Sequence, residues 1–187
     1  MYKCVTMDPP WLERGGGKSK RGADRHYPLM PLRDIIRTIQ EPMSRVGPDA
    51  HCWVWVTDNF LRDGLAILDT FGFRYIRTLQ WVKMSDEYSR SYGSYCEKAR
   101  SGVQIGLGQY LRGSHEMALM GVRGKAMLPA TADRCPSVVF AKRTKHSRKP
   151  DEAIEVFEKT SPGPRLELFA REERAGWAAW GNEAKAP

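Results

Sequence analysis

The most concentrated chemistry in the sequence is Asp8-Pro9-Pro10-Trp11: a carboxylate, a proline carbonyl and a large flat ring within four positions. Two consecutive prolines end any ladder pairing, because proline lacks an N–H and fixes φ. Tyr2–Met7 reads as a strand, so these groups stand at a strand's C-terminal end. Such a set suits group transfer to the exocyclic amine of a nucleobase. The lone pair of that amine is delocalised into the ring, and the nitrogen becomes nucleophilic once both hydrogens are held by acceptors. The Asp8 carboxylate and the Pro9 carbonyl can supply them. Trp11 would then stack on the extruded base, a contact worth about 1–3 kcal/mol. Rigid prolines reduce the entropy lost in fixing the acceptors. The plainer reading of the same residues is a chain turn with Trp11 packed in the core.

Groups at a strand end require a sheet to hold them, and the rest of the sequence supplies one. Pro31 opens a helix in which Leu32, Ile35, Ile36 and Ile39 recur at helical spacing. Residues 51–57 read as a buried strand. Asp58 or Asn59 can cap a helix carrying Leu61, Leu65, Leu68 and Phe71, which Gly72 closes. Segments 73–83 and 116–123 are strands, as is 137–141. Pro150 opens a further helix with Asp151 and Glu152 in its first turn, where acids suit the helix dipole. A turn at 161–164, a strand at 166–170 and a short one at 177–180 complete the pattern. This alternation predicts an α/β fold with a mostly parallel sheet, in which 73–83 and 116–123 form an antiparallel edge hairpin. Segments 12–26 and 84–115 read as long loops, and long loops in compact domains are commonly functional. Ligands of such sheets bind at the strands' C-terminal ends. Residues 8–11, 142–149 and 171 onward are placed there.

The 187 residues fit one domain, 1–187, with a full core. No apolar run approaches the roughly 18–20 residues of a membrane span, and no signal segment opens the chain, so a cytoplasmic protein without a membrane partner is expected. Four cysteines and four histidines are scattered without metal-ligand spacing, so no metal site is expected. The formal charge of +8 allows either a solvated basic surface or a polyanion partner. Location favours the polyanion. Residues 12–26 carry five cations against two acids, residues 142–149 five cations and no acid, and the remainder is balanced. Two basic loops beside one strand-end site are what phosphate gripping requires.

Several segments together narrow the family. These are Asp8-Pro9-Pro10-Trp11, residues 25–30 (RHYPLM), 106–116 (GLGQYLRGSHE), 146–152 (HSRKPDE), 161–163 (SPG) with 167–171 (ELFAR), and 180–183 (WGNE). The set resembles the adenine N6-methyltransferase family that includes the catalytic subunit of the eukaryotic messenger-RNA adenosine methyltransferase, in a bacterial or phage-type form. The resemblance implies a Rossmann-like S-adenosylmethionine-dependent methyltransferase fold in permuted order, the catalytic strand preceding the cofactor strand. It implies S-adenosylmethionine as cofactor, held by Asp8, Lys149, Arg171, Arg174, Asn182 and Glu183. Lys149 would meet the methionine carboxylate, and Arg171 with Asn182 and Glu183 the ribose and adenine. Where the family motif continues Arg-Pro-His-Asn, this chain has Arg171-Glu172-Glu173-Arg174, so Arg174 or Glu173 is the expected substitute. Tyr27, Arg112, His115, Lys145 and His146 would join Trp11 in contacting the nucleic acid.

The activity so implied is N6-adenine methylation of nucleic acid, DNA ahead of RNA. The competing readings are an RNA N6-adenosine enzyme, a DNA N4-cytosine enzyme facing the same amine problem, and a catalytically silent partner subunit that binds nucleic acid. A homodimer or a partner subunit remains open at this level.

Overall fold

A computed structural model describes residues 1–12, 29–85, 102–106, 110–143 and 148–181. Among the described residues there are seven strands: β1 (Tyr2–Met7), β2 (Val46–Val56), β3 (Arg74–Met84), β4 (His115–Arg123), β5 (Val138–Lys142), β6 (Arg165–Leu168) and β7 (Trp177–Trp180). The α-helices among the described residues are α1 (Leu32–Ser44), α2 (Leu61–Thr70) and α3 (Asp151–Thr160).

The strands form one sheet in the order β5-β3-β4-β2-β1-β6-β7. All neighbours pair in parallel except those of β4, which runs against both β2 and β3. Of the two strands expected to form an antiparallel edge, β4 alone is reversed. The β3–β4 hairpin lies toward one side, with β5 added outside it as the edge strand. That reversal matters for the site. It brings the first residues of β4 to the end of the sheet where every other strand presents its last.

Period-two alternation sorts the strand residues onto two faces. Cys52, Val54 and Val56 of β2, with Val5, Met7, Leu166 and Leu168, pack on one face against Ile35, Ile39 and Met43 of α1 and Ile67 and Leu68 of α2. Trp53 and Trp55, with Cys4, Leu79, Trp81 and Ala118, pack on the other face against Ala153, Ile154 and Phe157 of α3. Helices therefore cover both faces, which explains why β1 and β2 read as nearly continuous apolar runs. A Cβ at Gly64 would lie 2.5 Å from the Val56 side chain, so glycine is what lets α2 seat this closely.

One local expectation is corrected. Neither Asp58 nor Asn59 caps α2 with its side chain. The two residues instead belong to a single 3₁₀ turn, Asp58–Phe60, that leads into the helix. The short turn already supplies hydrogen bonds at the entry, and it releases the Asp58 carboxylate to face His115 at 3.4 Å.

Candidate active site

The chain leaves β1 at Met7 and turns at the prolines. Trp11 N–H donates to the Pro9 carbonyl at 2.8 Å, and Met30 N–H to the Pro10 carbonyl at 2.8 Å. Residues 11 and 30 form a parallel bridge, so the two strands of chain around Asp8 are tied together. The Trp11 indole N–H donates to the Trp55 carbonyl at 3.0 Å, and its ring stacks on Phe60 with centroids 5.3 Å apart. Only 8% of Trp11 is exposed. Of the two readings of Trp11, packing in the core is the one this geometry favours: one face lies against Phe60 and the indole N–H is held by a backbone carbonyl, so the ring anchors the motif. The Pro9 carbonyl holds the Trp11 N–H on one lone pair and keeps the second.

Around Asp8 the fold assembles a row of alternating charges. Lys149 Nζ lies 3.0 Å from Asp8 Oδ1 and donates to Glu116 Oε2 at 2.8 Å. Lys83 Nζ meets the other Glu116 oxygen at 2.7 Å. Arg171 approaches Asp8 Oδ2 at 3.6 Å. Tryptophan rings support both lysines: Lys149 stands 5.2 Å from the Trp55 centroid and Lys83 5.4 Å from that of Trp81. Burial opposes ionisation of Glu116, but Lys149 and Lys83 outweigh it and bring its carboxyl down to about 2. Burial likewise works against the Lys149 ammonium, and the charges of Asp8 and Glu116 more than offset it, raising its pKa above the ordinary lysine value.

Each member arrives from a different element. Asp8 follows β1, Lys83 is near the end of β3, Glu116 is the second residue of reversed β4, Lys149 precedes α3, and Arg171 follows β6. The turn that delivers Arg171 uses a left-handed Phe169, φ 59°, a conformation costing roughly 1–2 kcal/mol for a residue with a Cβ. Its ring packs edge-on to Trp180, centroids 6.0 Å apart. A side chain at Gly181 would fall 2.6 Å from the Ala170 carbonyl, so the last described residue must be small to lie against this turn.

Other expected residues fall elsewhere. Arg174 NH1 bonds Asp151 at 3.2 Å, with Glu172 at 3.7 Å and Glu167 at 3.9 Å, stitching the β6–β7 connection to the start of α3. Arg148 braces the same carboxylates, Glu172 at 3.0 Å and Asp151 at 3.3 Å. Arg112 donates to the carbonyl of Gly106 at 2.6 Å within its own loop, and His115 faces Asp58, on the side of β4 opposite to Glu116. Among the described residues, neither side chain is hydrogen-bonded or ion-paired to Asp8, Glu116, Lys149 or Arg171. Tyr27, Lys145, His146, Asn182 and Glu183 lie outside the described residues. Among the described residues, no group of three His, Cys, Asp or Glu is placed to hold a metal, and no helix is long and apolar enough to cross a membrane.

Glu116, Lys83 and Glu167 were not singled out from the sequence. Their signal was present, since an acid or a cation inside an apolar strand must find a partner when buried. Burial raises the pKa of Glu167; Arg174 opposes the rise, and the negative charges of Asp8 and Glu172 add to it. Glu167 thus belongs to the electrostatic surroundings of Asp8.

Comparison with known proteins bears on this geometry. The MT-A70 family model matches residues 2–183. A rice protein described as a probable N(6)-adenosine-methyltransferase MT-A70-like is 30% identical over 97% of this chain and 23% of its own length. The human N(6)-adenine-specific methyltransferase METTL4 is 27% identical over 97% of this chain and 37% of its own. The Type II methyltransferase M.MunI of Mycoplasma is 25% identical over 97% of this chain and 77% of its own. The chain thus spans about a quarter of the plant relative and most of the mycoplasmal one. A strand-end Asp-Pro-Pro-Trp held in a seven-stranded sheet, and a family match across nearly the whole sequence, place this chain in the MT-A70 family, methyltransferases that take their methyl group from S-adenosylmethionine.

Proposed function

We propose that this chain is an N6-adenine methyltransferase acting on nucleic acid, with DNA ahead of RNA as substrate. The observation that carries the reading is the Asp8 carboxylate, fixed by Lys149 at 3.0 Å and Arg171 at 3.6 Å beside the half-free carbonyl of Pro9. Two acceptors at one strand end are what an exocyclic amine needs.

The residues present suit the cofactor. Its amino-acid end carries both charges and its ribose two hydroxyls, and the cluster offers cations (Lys149, Arg171) interleaved with carboxylates (Asp8, Glu167). Lys149 would take the carboxylate and Arg171 the ribose region, with Asn182 and Glu183 completing the contacts by family resemblance. Arg174 is bonded to Asp151, and in this reading it braces Arg171's segment. When bound, S-adenosylmethionine supplies a methyl group on a sulfonium, a strong electrophile. Asp8 accepts one amine N–H and the Pro9 carbonyl the other, turning the nitrogen lone pair out of conjugation. After transfer the amine nitrogen carries the positive charge and is acidic, so its extra proton passes through the Asp8 hydrogen bond to water, and no dedicated base is required. Trp11, locked to Trp55 and Phe60, keeps both acceptors in register. Tyr27, Arg112, His115, Lys145 and His146 are assigned to the polynucleotide.

The test is incubation with labelled S-adenosylmethionine and unmethylated DNA or RNA, followed by identification of the modified nucleoside. N6-methyladenine is expected; N4-methylcytosine or no product would overturn the reading. Asp8→Ala should abolish turnover, and robust methylation by that variant would remove Asp8 from the chemistry.

A further inference from the structure

Lys149 is shared. Its ammonium meets Glu116 at 2.8 Å and Asp8 at 3.0 Å, and its side chain is only 16% exposed, so two carboxylates compete for one cation with little water to intervene. The competitor is itself restrained: Glu116 presents Oε2 to Lys149 and Oε1 to Lys83 at 2.7 Å. The row therefore runs Lys83, Glu116, Lys149, Asp8, Arg171 with alternating sign. Changing any charge in such a row alters the balance at its neighbour, because interactions between close charges with restricted solvent access reach several kcal/mol.

We propose that Lys83 and Glu116 are positioning residues that set how Lys149 divides its charge between Asp8 and the carboxylate of the cofactor. Neither needs to touch cofactor or base. Lys83 weakens the pull of Glu116 on Lys149, and Glu116 keeps Lys149 from closing completely onto Asp8. The inference rests on the reading that Lys149 receives the cofactor's carboxylate, and it deepens that reading by identifying the residues that tune the receptor.

The signs follow from the row. Lys83→Met leaves Glu116 uncompensated, draws Lys149 toward it and makes the ammonium less available; S-adenosylmethionine should bind about five- to tenfold more weakly, within the range of coupling between neighbouring charges. Glu116→Gln keeps the shape and removes the competitor, so cofactor binding should tighten by a few fold. Turnover should nevertheless fall, because Lys149 now holds Asp8 alone and the carboxylate is a poorer acceptor for the amine. Because Lys83 acts only through Glu116, the double variant should bind the cofactor as tightly as Glu116→Gln, to within about twofold. Lys83→Arg, which keeps the cation, should bind like the parent.

Calorimetry with S-adenosylmethionine on the parent and four variants, checked for folding by near-ultraviolet circular dichroism, reads this pattern without any polynucleotide. A purely structural role for the pair predicts weaker binding in both single variants and the weakest in the double; that ordering would overturn the proposal. Should Glu116→Gln fail to fold, Lys83→Met against Lys83→Arg still decides, since equal affinity in those two also overturns it. If the expected pattern appears but no adenine is methylated, the positioning role stands and the substrate reading falls. Absence of cofactor binding by the parent would sink both.

Discussion

Two polar networks are buried in this sheet, and they are built on opposite rules. At the strands' C-terminal ends, Asp8, Lys83, Glu116, Lys149 and Arg171 are charged, and their side chains retain 16–29% exposure. Toward the other end, the Ser161 hydroxyl accepts from the Trp53 indole at 2.9 Å and pairs with His51 Nδ1 at 3.0 Å, with all three residues 1–3% exposed. Burial lowers the pKa of His51, only partly offset by a hydrogen bond to the backbone of Met127, so the ring is favoured in its neutral form. The adjoining Cys4 thiol is pushed up to about 12, chiefly by burial, against a smaller opposing hydrogen bond to Ser161. The side chains of the sealed network are neutral, with only the Arg165 guanidinium reaching the Ser161 carbonyl at 3.0 Å, whereas the other network is built from charges that face outward. Charge is concentrated where a ligand can complete it, and neutral hydrogen bonding is used where none arrives.

Breaking each network should expose the difference. The largest effect is expected from Lys149→Met, which leaves Asp8 and Glu116 as uncompensated neighbouring carboxylates; loss of about 3–5 kcal/mol is expected in denaturant unfolding. Acid separates the two regions next. Glu116 titrates at about 2 against an ordinary 4.5, so its contribution is complete above 4.5 and is lost as pH falls from there toward 2. That contribution is worth roughly 3 kcal/mol and should vanish from the acid limb of a stability profile in Glu116→Gln. Ser161→Ala removes the shared hydroxyl, strands the Trp53 indole N–H, and should cost about 1–3 kcal/mol while cofactor affinity is unchanged. The smallest effect is the slope from His51. Its native pKa lies below 6.5, the unfolded chain binds the proton first, and stability should begin to decline as pH drops below 6.5; thermal melts of His51→Gln across pH 5–7 should lack that decline.

Much of this architecture was legible because it follows from local patterns. The apolar runs of β1 and β2 and the helices opening at Pro31 and Pro150 stand within a few residues of where spacing put them. Lys149 and Arg171 stand beside Asp8 at 3.0 and 3.6 Å, a pairing that the sequence did not announce, since the resemblance assigned both to the cofactor. The sequence left Trp11 between base stacking and core packing, because only the fold brings Phe60 and the Trp55 carbonyl to it. Glu116 was passed over although the reversal of its strand was expected, because its partners Lys83 and Lys149 come from distant segments that only the folded sheet brings together. Arg174 pairs with Asp151, distant in sequence, an ion pair that no local pattern announced.

The pairing of β1 with β6 sets Met7 beside Leu168, a contact spanning almost the whole sequence. Asp8 is therefore synthesised long before Lys149 and Arg171, the cations that hold it. A ribosome adds about 5–20 residues per second, so for several seconds the nascent chain carries the carboxylate without its partners. The most non-local contacts are ordinarily among the slower to form. Assembly of the charged cluster is then a late event in the life of each molecule, and a chain broken anywhere before Arg171 lacks part of the site altogether.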